Sequence, residues 1–133
     1  MSEFHVIEVE IYDKDCLIDA LKEMGYNPEL YDNPVHLYGY EGDKRIQKAH
    51  IRIPRSQIGS ASNDVGFEKI GNKYILHLSA YDIHVKKFDK QKLMQLYGKH
   101  KVEKIVKKQS RKFKKKSQYV DEKGNIKIRL TRR

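Results

Sequence analysis

Apolar and polar residues alternate along residues 4–12, with Ile7, Val9 and Ile11 on one side and Val6, Glu8, Glu10 and Tyr12 on the other. A period of two is that of a half-exposed strand. The period then lengthens. Leu17, Ala20, Leu21 and Met24 recur at helical spacing, so residues 16–24 are predicted to form a helix with one apolar stripe. Asp13 or Asp15 is placed to cap its start, and Gly25 to end it in a left-handed conformation. Asn27-Pro28 and Asn33-Pro34 read as breaks in the chain. Residues 35–40 and 46–53 follow as a hairpin about residues 41–44, stopped by Pro54, and residues 65–70 and 74–80 as a second about Gly71-Asn72. Between the hairpins, residues 56–63 are Ser, Gly, Asn and Ala rich and are predicted to form a mobile loop.

Helical spacing returns with Leu93, Leu96, Tyr97, Val102, Ile105 and Val106, behind a capping Asp89, and predicts a helix to about residue 108 with Gly98 as a candidate bend. Residues 112–120 and 125–130 read as two strands about Asp121-Glu122-Lys123-Gly124. Ile126, Ile128 and Leu130 alternate there with Lys127, Arg129 and Thr131. The predicted order is β-α-β-β-β-β-α-β-β, an α+β fold built on a mostly antiparallel sheet with two helices. At 133 residues, with no linker long enough to divide it, the chain is expected to be a single domain.

Charge changes this picture more than composition does. Residues 86–133 hold 19 Lys and Arg against 4 Asp and Glu, a net of +15, while residues 1–85 hold 9 against 14, a net of −5. Between Lys104 and Val120 there is no acid at all. A surface that only needs to be soluble mixes its signs, because a one-signed field repels itself. The C-terminal segment therefore points to a polyanionic partner. No run nears the roughly 20 apolar residues of a membrane helix, and Met1-Ser2-Glu3-Phe4 lacks the basic-then-apolar start of a secretory signal. With a lone Cys16, a reducing cytoplasmic setting is the expectation.

Several short stretches are familiar as a set. They include Met1-Ser2-Glu3-Phe4, Leu17, Leu21 with Met24-Gly25-Tyr26, Gly39-Tyr40, Asp64-Val65-Gly66-Phe67, Tyr74-Ile75-Leu76, Leu96-Tyr97 and the closing residues 124–130. In this order they resemble the family of conserved hypothetical chloroplast reading frames (the thirty-fifth of that series) and its cyanobacterial and archaeal relatives. The resemblance covers nearly the whole chain and implies a compact α+β domain. It implies no activity, since that family is a domain of unknown function without settled catalytic residues. The sequence departs from it in carrying Ser79-Ala80-Tyr81-Asp82 where relatives often carry tryptophans, and in a far more basic second helix and end.

Candidate chemistry centres on the basic segment. Lys99, Lys101, Lys104, Lys107 and Lys108 fall on the second predicted helix, and Arg111, Lys112, Lys114, Lys115 and Lys116 follow it. Lys127, Arg129, Arg132 and Arg133 add to them from the last strand and the chain end, with Phe113 interleaved. Such cations neutralise phosphates and release counterions, and interleaved aromatics stack on unpaired bases. No helix-turn-helix, zinc-finger or basic-zipper pattern is present, which favours RNA over DNA. The expectation is a cytoplasmic RNA-binding protein, a ribosome or ribonucleoprotein component with ribosomal or other protein neighbours, and neither an enzyme nor a membrane protein. An adaptor for an acidic protein is the alternative.

Other features add little. His5, His36, His50, His77, His84 and His100 are scattered and make no metal-ligand spacing, so no metal or cofactor is expected. His50 and His77, with Asp64 or Glu68, are the one candidate acid-base set. No glycine pattern opens a helix as a phosphate loop must. Cys16 reads as structural. The loop at residues 55–63, flanked by Arg52 and Arg55, reads either as a second RNA contact or as a disordered segment, and the sequence leaves both open.

Overall fold

The computed structural model describes residues 3–109, 113–120 and 126–132, the last two segments as backbone strands. Strand β1 (Phe4–Ile11) leads to helix α1 (Lys14–Glu23), strands β2 (Glu29–Tyr38) and β3 (Lys44–Ile53), and a single 3-10 turn at Arg55–Gln57. Strands β4 (Val65–Ile70) and β5 (Lys73–Ser79), helices α2 (Ala80–His84) and α3 (Lys90–Lys108), and strands β6 (Phe113–Val120) and β7 (Ile126–Arg132) complete the order. The fold is α+β, with the β-α-β-β-β-β-α-β-β order expected and one short helix, α2, added. The start of the final hairpin at Lys112, its turn at residues 121–125, and the cations Arg111 and Arg133 lie outside the described residues.

The chain forms two compact units. The sheet unit, Met1–Tyr12 with Gly25–Phe88, holds five antiparallel strands in the order β1-β5-β4-β3-β2. Its middle row pairs Ile51 with Phe67, Phe67 with Leu76 and Leu76 with Ile7. The alternation of β1 holds: Val9 and Ile11 are buried, while Val6, Glu8, Glu10 and Tyr12 are exposed. Every residue of β5 from Tyr74 to Ser79 is buried, as befits a strand covered on both faces. Phe88 closes this core, stacked on Tyr26 with centroids 5.7 Å apart and edge-on to Phe67 at 6.4 Å.

Three sequence expectations are corrected here. Asn33-Pro34 does not break the chain, for β2 begins at Glu29 and runs through it. The strand is an edge strand and its register slips between Leu30 and Val35, so the missing proline N–H costs no ladder bond. The segment at residues 56–63 is not loop throughout: its start lies in the 3-10 turn Arg55–Gln57 and its end is anchored by buried Ser62 and Asn63, while residues 56, 57, 60 and 61 are exposed. The strand expected to end at residue 80 stops at Ser79, whose hydroxyl accepts from the Asp82 N–H and caps α2.

Gly66 marks where the β2–β3 hairpin lies close against β4. A Cβ on Gly66 would stand 2.6 Å from Ala49 Cβ and 2.7 Å from Leu37 Cδ2, distances that admit no side chain. Gly71, with φ of +65°, makes the turn between β4 and β5 that its left-handed backbone allows.

The helical unit, Asp13–Met24 with Asp89–Arg133, holds α1, α3 and the two-stranded β6–β7 sheet, whose strands pair with each other among the described residues. The stripe expected of α1 is buried at Leu17, Ala20 and Leu21, together with Cys16 and Ile18. Asp13 Oδ1 accepts from the Cys16 N–H as N-cap, and Gly25 follows the helix with φ of +97°. Helix α3, capped by Asp89, runs unbroken through Gly98 and buries Leu93, Leu96 and Tyr97.

Candidate polyanion-binding surfaces

Charge separates along the boundary between the units. The helical unit holds 19 Lys and Arg against 8 Asp and Glu, a net of +11, whereas the sheet unit holds 9 against 10, a net of −1. The difference arises because the 17 cations of residues 89–133 outnumber the 4 acids of α1 and its cap.

Two of those four acids, Asp13 and Glu23, occupy part of the expected site. Lys104 Nζ donates to Asp13 Oδ2 at 2.5 Å, and Lys101 Nζ lies 4.0 Å from the same oxygen. Glu23, the last residue of α1, accepts from Lys99 Nζ at 2.7 Å and lies 3.0 Å from His100 Nε2. Tyr97 Oη accepts the Asp13 N–H at 3.0 Å and adds a neutral tie. Burial alone would raise the Asp13 carboxyl, but the Lys104 ammonium and the Cys16 amide outweigh it and hold it at about 2. The Lys99 ammonium likewise pulls Glu23 below the ordinary carboxylate range, with His100 assisting. Burial pushes the Cys16 thiol up, and the charge of Asp13 adds to it, which leaves the thiol unreactive.

Lys99, Lys101 and Lys104 therefore serve first as clasps between α3 and α1. Lys107 and Lys108, at the end of α3, are exposed and form no ion pair among the described residues. Phe113, Lys114, Lys115 and Lys116 fall on β6, and Lys127, Arg129 and Arg132 on β7, with Phe113 opposite Arg132 and Tyr119 opposite Lys127. The backbone thus brings the cations of residues 113–116 beside those of residues 129–132 on one two-stranded ribbon.

Arg52 and Arg55 are brought together in the sheet unit. They line an open pocket of about 590 Å³ with Tyr38, Ser56, Ser60 and Asp64. Arg52 is held fast: Nε donates to Glu29 at 2.8 Å, Nη1 to the His36 carbonyl at 3.0 Å and Nη2 to Tyr31 Oη at 3.2 Å. Its guanidinium also lies over the rings of Tyr31 and Tyr38, 5.5 and 5.7 Å from their centroids. Asp64 fastens the floor. Its Oδ1 accepts the Arg55 N–H and its Oδ2 the Tyr38 N–H, both at 2.8 Å, while its own N–H donates to the Tyr38 carbonyl. Burial raises the Asp64 carboxyl above its ordinary value.

Behind this floor runs a buried polar chain that gave no signal in the sequence. Asn63 Oδ1 accepts the Tyr40 N–H at 3.0 Å, and Asn63 Nδ2 donates to Ser79 Oγ at 2.9 Å. Ser79 Oγ donates to Asp82 Oδ2 at 2.6 Å, which also accepts the Asn63 N–H. Asp82 is fully buried.

Of the candidate acid-base set, the structure pairs His77 with Glu68 and gives His50 a different partner. His50 Nδ1 accepts the Lys69 N–H at 3.0 Å, whereas His77 Nε2 lies 2.9 Å from Glu68 Oε1. Among the described residues no group of three or more His, Cys, Asp or Glu is placed to hold a metal, and no helix is long and apolar enough to cross a membrane.

Fold and site together define an α+β protein with a five-stranded antiparallel sheet and a separate, strongly basic helix-and-hairpin unit. Residues 20–129 match the family described as protein of unknown function (DUF1257), and the chain belongs to that family. The match spans the end of α1, the whole sheet from β2 onward and most of the basic unit. Comparison with curated proteins and with solved structures found no match.

Proposed function

We propose that this protein binds structured RNA through its basic helical unit, as a component of a cytoplasmic ribonucleoprotein such as the ribosome. The observation that supports this reading is the partition of charge: +11 on one unit and −1 on the other. Fields of one sign concentrate polyanions and speed their capture. Within the unit, Glu23 pairs with Lys99, and Asp13 with Lys104 and, at longer range, Lys101, so phosphate contact centres on Lys107 and Lys108 and on the cations of residues 111–116. Lys127, Arg129, Arg132 and Arg133 extend it along the ribbon. RNA is favoured over DNA because the sequence has none of the patterns that place a reading helix in a major groove. The role is one of binding rather than catalysis.

Purification from cells at low salt tests this directly. The protein is expected to elute with RNase-sensitive material absorbing at 260 nm, and to prefer a structured RNA over a DNA duplex in competition. Elution with an acidic protein and no nucleic acid supports the adaptor reading instead.

A further inference from the structure

The pocket of the sheet unit contains a cation that the fold does not use. Arg52 lines it too, but its donors are spent on Glu29, Tyr31 and the His36 carbonyl, and Glu29 balances its charge at 2.7 Å. Asp64 is buried, and each of its oxygens is taken by a backbone N–H. The Arg55 side chain differs. It reaches the pocket half-exposed and forms no hydrogen bond or ion pair among the described residues. The fold secures Arg55 by its backbone alone, through the Arg55 N–H to Asp64 and the Arg55 carbonyl that accepts from Ile58 and Gly59. Its guanidinium therefore reaches the pocket with no protein partner among the described residues.

What surrounds it narrows the ligand. Ser56 and Ser60 place exposed hydroxyls in the lining, and Gly59 presents no side chain there. The Lys87 stem passes 3.9 Å from where a Gly59 Cβ would stand, which adds a second cationic side chain near the same turn. Pro54 and Tyr38 also line the pocket, and the Arg52 guanidinium lies 5.7 Å from the Tyr38 ring centroid, which restrains that ring. One uncompensated guanidinium with two hydroxyls suits a phosphate, for which the planar Arg fork is the matching donor. A rigid ring beside it suits a flat body that stacks. A volume of about 590 Å³ lies within the range of small-molecule sites.

We propose that this pocket binds a phosphate group carried on a flat ring system, the chemistry of a nucleoside monophosphate, with Arg55 holding the phosphate and Tyr38 the ring. The site is distinct from the basic helical unit, and it stands whether or not that unit binds RNA. Two sources supply such a group: a free mononucleotide and the phosphorylated 5′ end of an RNA.

Amide chemical shifts of the full chain, titrated with adenosine 5′-monophosphate, inorganic phosphate and adenosine, test the assignment. The monophosphate is expected to shift Ser56, Gly59 and Ser60 at lower concentration than phosphate does, and adenosine to bind roughly tenfold more weakly or worse. Arg55→Gln keeps the backbone bond to Asp64 and so the turn, and is expected to weaken the monophosphate about tenfold or more. Ser60→Ala, at an exposed position, is expected to weaken it by a smaller factor. The pair Lys107→Gln and Lys108→Gln is expected to leave it unchanged. A 5′-phosphorylated oligoribonucleotide that shifts the same amides at lower concentration than the mononucleotide names the RNA end as source. The reverse order names the free nucleotide, and either order upholds the phosphate site. Silence of these amides at millimolar monophosphate overturns the proposal, as does equal binding by adenosine or by Arg55→Gln.

Discussion

Asp13 does three things at once. It caps α1, accepts from the Lys104 ammonium and donates its N–H to the Tyr97 hydroxyl oxygen. Its carboxyl sits at about 2 in the fold against an ordinary 3.8, so the unfolded chain binds the proton more tightly. Stability from this group is complete above about pH 4 and is lost as pH falls toward 2. The partner ammonium is 44% exposed, and screening by water reduces the contribution to about 1–2 kcal/mol. Asp13→Asn keeps the cap but not the charge. In urea unfolding at pH 7 and near pH 2 the wild type is expected to lose about 1–2 kcal/mol more than this variant. Parallel losses contradict the assignment. Gly66 makes a different demand, for space rather than charge. Gly66→Ala forces Ala49 and Leu37 apart and is expected to cost about 1–3 kcal/mol, read as a lower urea midpoint.

Hairpin β4–β5 was legible because its information is local: alternation on both strands and Gly71-Asn72 between them. Helix α1 was legible for the same reason, with apolar spacing, an Asp cap and a terminal glycine in one short window. The segment at residues 55–64 was not. Its composition is that of a mobile loop, yet Asn63 bonds to residues 16, 19 and 23 positions away, and Asp64 to one 26 away. No window of sequence contains such partners. Helix α2 was missed because five residues carry no period. The ordering of this segment is testable. The N–H groups of Tyr38, Tyr40, Asn63 and Arg55 are expected to exchange slowly with solvent, near the rates of the sheet. Asn63→Ala strips the side-chain hydrogen bonds to Tyr40 and Ser79 and the longer one to buried Asp82, keeps the backbone bond to Asp82, and is expected to cost about 2–4 kcal/mol in chemical denaturation. Rapid exchange, or a variant of unchanged stability, contradicts a structural role for the network.

The sign reversal along the chain was visible in the residues themselves, as +15 over residues 86–133. Its division by structure was not, because α1 comes from the acidic part of the sequence and joins the basic unit. That exchange brings Asp13 and Glu23 to Lys104 and Lys99, and so sorts the lysines of α3 into clasps and exposed cations. The pocket was legible only as two arginines near a polar loop; the commitment of Arg52 to Glu29 and the freedom of Arg55 depend on contacts across strands. Binding to a labelled structured RNA across a salt series, for the wild type and a variant with Lys107, Lys108, Lys112, Lys114, Lys115 and Lys116 changed to glutamine, tests RNA capture by the basic unit most directly. The logarithm of the wild-type binding constant is expected to fall with log salt by about 0.7–0.9 for each phosphate neutralised, and the variant's slope to flatten by several contacts. No binding at low salt, or a slope that the six substitutions leave unchanged, contradicts it.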